Sequence, residues 1–125
     1  MRGALPRGMA LCHFDYHPDQ VLLTAAGPVI IDWMTAFCGP AEADVARTAL
    51  LLKHGALPHM PWLVRQIVGL IRKRILRVYL TEIQTHAPGI TADRINAWLV
   101  PIAAARLAEN IPEERELLLR LVATR

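Results

Sequence analysis

His13-Phe14-Asp15-Tyr16-His17-Pro18-Asp19-Gln20, followed a short way on by Ile31-Asp32-Trp33, is the part of this 125-residue chain that decides its fold. Between the two runs stand Val21-Leu22-Leu23-Thr24, the turn-forming Ala25-Ala26-Gly27-Pro28, and Val29-Ile30-Ile31. Short apolar, β-branched runs on either side of a Gly-Pro turn predict a small hairpin of buried strands. A hairpin of that size carries Asp32 back to the side of Asp15, across one open cleft, with the side-chain oxygen of Gln20 directed into it.

The ordered set of His13, Asp15, His17, the hairpin and Asp32 resembles the catalytic loop and metal-binding aspartate of the aminoglycoside phosphotransferase and choline kinase-like family. That family writes the first motif as His-Gly-Asp, any residue, often His, two more residues and Asn. It writes the second as Ile-Asp plus an aromatic or similar residue. Phosphoryl transfer is mostly positioning and charge neutralisation, so it needs a carboxylate for the acceptor hydroxyl and oxygen ligands for magnesium. The resemblance implies Asp15 as catalytic base, Asp32 as magnesium ligand and Gln20 as a weak second ligand. It makes His13 and Asp44 supports, while His17 reads equally as a loop-positioning residue near the acceptor and as a packed loop histidine. The implied fold is mainly helical α+β, a protein-kinase-like C-terminal lobe with a β-hairpin beside the catalytic loop. The implied cofactors are ATP and magnesium, and the implied acceptor is an aminoglycoside, a choline-like alcohol or a sugar.

Two positions depart from the pattern. Phe14 stands where the family has Gly, which often marks a conformation closed to other residues. Protein kinases, however, carry Arg at the middle of the corresponding triplet, so a side chain is not forbidden there. Gln20 keeps the carbonyl of the family's Asn but adds a methylene. Magnesium, with octahedral bonds of about 2.0–2.1 Å, tolerates little misplacement.

Residues 1–12 contain no glycine-rich phosphate loop and no strand lysine paired with a helical glutamate. The expectation is that residues 1–125 form the C-terminal lobe alone, from a truncated gene, a split protein or a fragment, inactive by itself. Apolar surface around residues 4–12, the hairpin and the long helix is then expected to meet a second copy or a separately encoded lobe. The rival expectation is a non-catalytic helical remnant serving as an interaction or oligomerisation module.

Composition fits one domain. Apolar residues make up 54% of the chain and mean hydropathy is +0.29, high for a domain of this size. No uncharged apolar run reaches the ~18 residues of a membrane span, and Arg2 and Arg7 precede too short an apolar segment for a signal peptide, so a cytoplasmic location is expected. Cys12 and Cys38 read as buried thiols. With His13, His17, His54 and His59 they lack the Cys-x-x-Cys spacing of a zinc site.

Pro40, the acids Glu42 and Asp44, then Lys53, His54 and Gly55 punctuate a helix after a turn at Phe37–Pro40. By resemblance its Asp44 braces the catalytic loop. Residues 56–61 break the chain before a helix over about 62–85, with Leu63, Ile67, Leu70, Ile71, Ile75 and Val78 on its buried face. Arg65, Arg72, Lys73 and Arg77 lie opposite, while Arg74 falls on the apolar face and must snorkel or meet a carboxylate. A net charge of +3 without interleaved aromatics makes a solvated face a better reading than a nucleic-acid footprint. Thr91 caps a third helix running to about Asn110, kinked at Pro101 and burying Trp98, Leu99, Ile102 and Leu107. Pro112 opens a fourth. The resemblance is specific over most of residues 9–53 and loose over 97–123; residues 62–85 carry no recognised motif.

Overall fold

The computed structural model describes residues 8–55 and 59–123. Residues 4–7 of the expected apolar approach, Arg2 and Arg7, and positions 56–58 of the break lie outside the described residues. The elements are β1 (Ala10–Cys12), a 3-10 turn at Pro18–Gln20, β2 (Val21–Thr24), β3 (Gly27–Ile30), β4 (Phe37–Gly39), α1 (Ala41–His54), α2 (Trp62–His86), α3 (Ala92–Leu107) and α4 (Pro112–Ala123). The chain is α+β and mainly helical, with two separate antiparallel sheets, β1–β4 and β2–β3.

α1 is the axis of the molecule because it is covered on nearly every side. Ala43, Val45, Ala46 and Leu50 are buried with Ile95, Ile102 and Ala103 of α3 and Leu118 of α4 in one cluster. A helix apolar over most of its circumference must be enclosed in this way. Four of its polar residues, Glu42, Asp44, Arg47 and Thr48, are matched by neighbouring segments. Glu42 meets Arg94 of α3 at 3.5 Å, Arg47 reaches Glu109 at 2.6 Å, and Asp44 and Thr48 bond the loop after β1. At the C-terminus the Gly55 N–H donates to Leu51 O and its carbonyl accepts from Arg72 Nη1 at 2.8 Å. A Cβ on Gly55 would stand 2.4 Å from Leu51 O, so only glycine allows this close turn.

α3 and α4 are joined by a denser ionic knot. Buried Glu114 receives both Nε and Nη2 of Arg106, at 2.8 and 2.9 Å, while Arg106 Nη1 bonds Glu109. The hydrogen bonds to Glu114 hold the Arg106 guanidinium more firmly protonated than usual. Two parallel N–H···O bonds to one carboxylate fix orientation as well as distance.

Several sequence expectations are corrected. The hairpin forms, but its turn is the two residues Ala25-Ala26, with Gly27 and Pro28 already in β3 opposite Thr24 and Leu23. Its strands are not buried: Leu23 is 88% exposed, and Leu22, Val29 and Ile30 are exposed too. A two-stranded ribbon buries nothing unless another layer covers it. Phe37–Gly39 is not a turn but β4, which pairs with β1 in the register Ala10↔Gly39, Leu11↔Cys38 and Cys12↔Phe37. Cys12 is buried and Cys38 exposed, both as free thiols.

The long helix turns a different face inward from the one its spacing suggests. Tyr79, Leu80 and Ile83 pack against the core, whereas Leu63, Ile67, Leu70, Ile71 and Val78 are exposed, Leu70 by 67%. α2 is apolar on two sides, and helical period alone does not say which side a core takes. Arg74 is exposed and needs no buried carboxylate, while half-buried Arg72 caps α1. α3 runs unbroken through Pro101 and stops at Leu107, three residues early, before a turn with left-handed Asn110 (φ 53°). Among the described residues no helix is long and apolar enough to cross a membrane.

Candidate active site

The loop between β1 and the 3-10 turn is set by hydrogen bonds rather than by burial. The Asp44 carboxylate accepts from the backbone N–H of His13 at 3.0 Å and of Phe14 at 2.7 Å. An acid fixed on α1 therefore anchors the two residues before Asp15. The Thr48 hydroxyl, one helical turn on, donates to Tyr16 O at 2.9 Å, and Thr35 Oγ1 donates to His13 O at 2.9 Å. The sequence reading passed over both threonines. Their only signal was a polar residue at an inward position beside an apolar run.

His13 links the two halves of the motif. Its buried ring accepts from the Asp15 N–H at Nδ1 (3.1 Å), so Nε2 carries the proton and donates to Ile31 O at 2.8 Å. That contact holds the residue before Asp32. Trp33 tilts against the same ring, with centroids 4.7 Å apart. Phe14 and Asp32 both take left-handed backbone, with φ of 68° and 60°. Such a conformation costs about 1–2 kcal/mol for a residue with a Cβ, which accounts for glycine at the family's equivalent of Phe14. Here the phenyl ring packs edge-on against Phe37 and lies beneath the Arg47 guanidinium, 5.2 Å from the ring centroid. Arg47 itself is buried, with Nε and Nη1 lacking a hydrogen-bond partner among the described residues, and the sequence reading did not single it out. Its place on the Ala43-Ala46-Arg47-Leu50 stripe of α1 was the available signal.

These constraints bring Asp15, Asp32 and Gln20 together. Gln20 Nε2 donates to Asp15 Oδ2 at 2.9 Å and to Asp32 Oδ2 at 3.2 Å. The side-chain nitrogen, not the oxygen, is thus directed between the carboxylates. Carboxylates accept only, so in a set of two acids and one amide the NH2 is the group both can bind. Inverting the amide would put Oε1 there instead, giving an all-oxygen donor set of the kind magnesium prefers. Among the described residues, no three His, Cys, Asp or Glu side chains converge as a metal-binding group. His17 Nε2 stands 3.7 Å from Asp15 Oδ1, and its Nδ1 stands 4.0 Å from exposed Asp19.

Beside this loop a groove of about 650 Å³ runs between Tyr16-His17-Pro18, β2 and α2. Tyr79 lies at its back, where burial pushes the phenol well above its ordinary range and a hydrogen bond with Thr48 opposes that rise.

Residues 2–80 match the phosphotransferase enzyme family, and the chain belongs to that family. The match runs from the approach to β1 through most of α2, so it takes in the helix for which no motif was recognised and stops short of residues 97–123. Neither the curated proteins nor the solved structures gave a match.

Proposed function

We propose that this chain is the catalytic, C-terminal-lobe half of an ATP- and magnesium-dependent kinase-like phosphotransferase acting on a small-molecule hydroxyl. The observation that carries the reading is the convergence of Asp15 and Asp32 on one Gln20 nitrogen, from a loop clamped by Asp44 and His13. Asp15 orients the acceptor hydroxyl and takes its proton. Asp32, with Gln20 after amide inversion, holds magnesium. A bound magnesium ion would neutralise charge on the phosphate oxygens. His13 and Asp44 keep the carboxylates at fixed separation, the kind of preorganisation on which phosphoryl transfer depends. His17 positions the loop at the acceptor side. The adenine and the α- and β-phosphates need groups these residues do not supply, so a nucleotide-holding segment or partner completes the site, and the cytoplasm is the natural compartment.

Manganese is a paramagnetic stand-in for magnesium and tests this directly on the chain. Line broadening is expected at the amides of Asp15, Gln20 and Asp32, and is expected to vanish in Asp32→Asn. Broadening elsewhere, or broadening that survives the substitution, would overturn the metal assignment. Labelled ATP is expected to give no transfer with the 125-residue chain alone. Turnover lost in Asp15→Ala would show that the nucleotide contacts lie within it.

A second reading, a helical interaction or oligomerisation module, is favoured by the exposed apolar stripe of α2, Leu63, Ile67, Leu70 and Ile71. Patches of that kind usually mark association. A monomer by light scattering at high micromolar concentration would remove this reading.

A further inference from the structure

We infer that the acceptor is a bulky, largely apolar alcohol, selected by the groove beside the catalytic loop, rather than an aminoglycoside, a choline-like cation or a sugar. The inference rests on the phosphotransferase reading and concerns which hydroxyl that site takes.

Continuity comes first. His17 belongs both to the groove wall and to the surroundings of Asp15, its Nε2 3.7 Å from Asp15 Oδ1, so one side chain separates the groove from the carboxylate. The groove, at about 650 Å³, is within the ordinary size of small-molecule sites. Its apolar lining residues are Pro18, Val21, Leu23, Leu52, Ile75 and Val78.

The few polar groups in the wall decide the class. The Thr48 hydroxyl is already given to Tyr16 O, and half-buried Tyr79 is tied to Thr48. Both are engaged within the protein, which leaves Tyr16, His17, Arg74 and Glu82 as the other polar residues of the wall. Arg74 and Glu82 sit on the same wall with opposite charge, so the wall itself adds no net negative charge to that of Asp15 beyond His17. A sugar or an aminoglycoside would press many donors against carbon, and each polar group buried without a partner weakens binding. An apolar body has the opposite balance. It covers Leu23 and Val78, which the chain leaves 88% and 46% exposed, and asks for one polar partner, at its hydroxyl.

Borneol, a compact apolar secondary alcohol, is the probe, titrated into the 125-residue chain beside kanamycin and choline and followed by methyl resonances. Borneol is expected to shift the Leu23, Ile75 and Val78 methyls and to bind at least ten-fold more tightly than either cation. Val78→Asp is expected to weaken borneol at least ten-fold. Leu23→Ser, at a position exposed enough to leave folding untouched, is expected to weaken it several-fold. Kanamycin binding more tightly than borneol, with the preference lost in Glu82→Gln, would overturn the inference. So would the absence of methyl shifts, or borneol binding indifferent to both substitutions. Failure of the phosphotransferase reading would look different, with borneol still seated and the manganese effect at Asp32 absent.

Discussion

The loop with its hairpin, residues 10–39, and the bundle of α1, α3 and α4 hold their shapes by different means. The bundle encloses Ala46, Leu50, Ile102, Ala103 and Leu118, and pairs Arg106 with buried Glu114. The loop region leaves most of its apolar side chains in solvent and is fixed by individual hydrogen bonds, two accepted by Asp44 and others donated by Thr48, Thr35 and His13. Burial is non-directional and tolerates adjustment. Hydrogen bonds to a helix-borne carboxylate set position within tenths of an ångström, which is what a pair of reacting carboxylates needs. The two regions meet in α1, whose buried face belongs to the bundle and whose Asp44 and Thr48 belong to the loop.

That division is open to attack from either side. Glu114→Ala leaves the half-buried Arg106 guanidinium without its bidentate partner, though still bonded to Glu109, and is expected to cost about 3 kcal/mol of global stability. Denaturant unfolding checks the value, and manganese broadening at Asp32 in the surviving folded fraction is expected to be unchanged. Asp44→Ala strips the partners from two loop amides and is expected to cost about 2–3 kcal/mol. Its signature is local, with hydrogen exchange at His13 and Phe14 accelerating far more than at Leu50. Equal acceleration at all three would mean that loop and bundle unfold as one unit. Phe14→Gly has the smallest expected effect. It relieves the left-handed strain at φ 68° but gives up the contacts with Phe37 and Arg47. The net loss expected is about 1 kcal/mol; a gain in stability would show that those contacts contribute little.

Much of this was legible in the residues themselves. The order of His13, Asp15, Gln20 and Asp32, the hairpin between them, and the punctuation of α1, α3 and α4 by Pro40, Gly55, Thr91 and Pro112 are local properties. Motif spacing and cap chemistry act over a few residues and need no knowledge of what lies opposite. The strand β4 was not legible, because Phe37-Cys38-Gly39 acquires its conformation only by pairing with Ala10–Cys12, a contact between distant parts of the chain. Nor was the inward face of α2. Its sequence is apolar around too wide an arc, and the choice fell to the side that brings Tyr79, Leu80 and Ile83 against the core. The same holds for the direction of the Gln20 amide. Sequence placed the residue between two carboxylates, and the meeting of those two acceptors turned its nitrogen toward them.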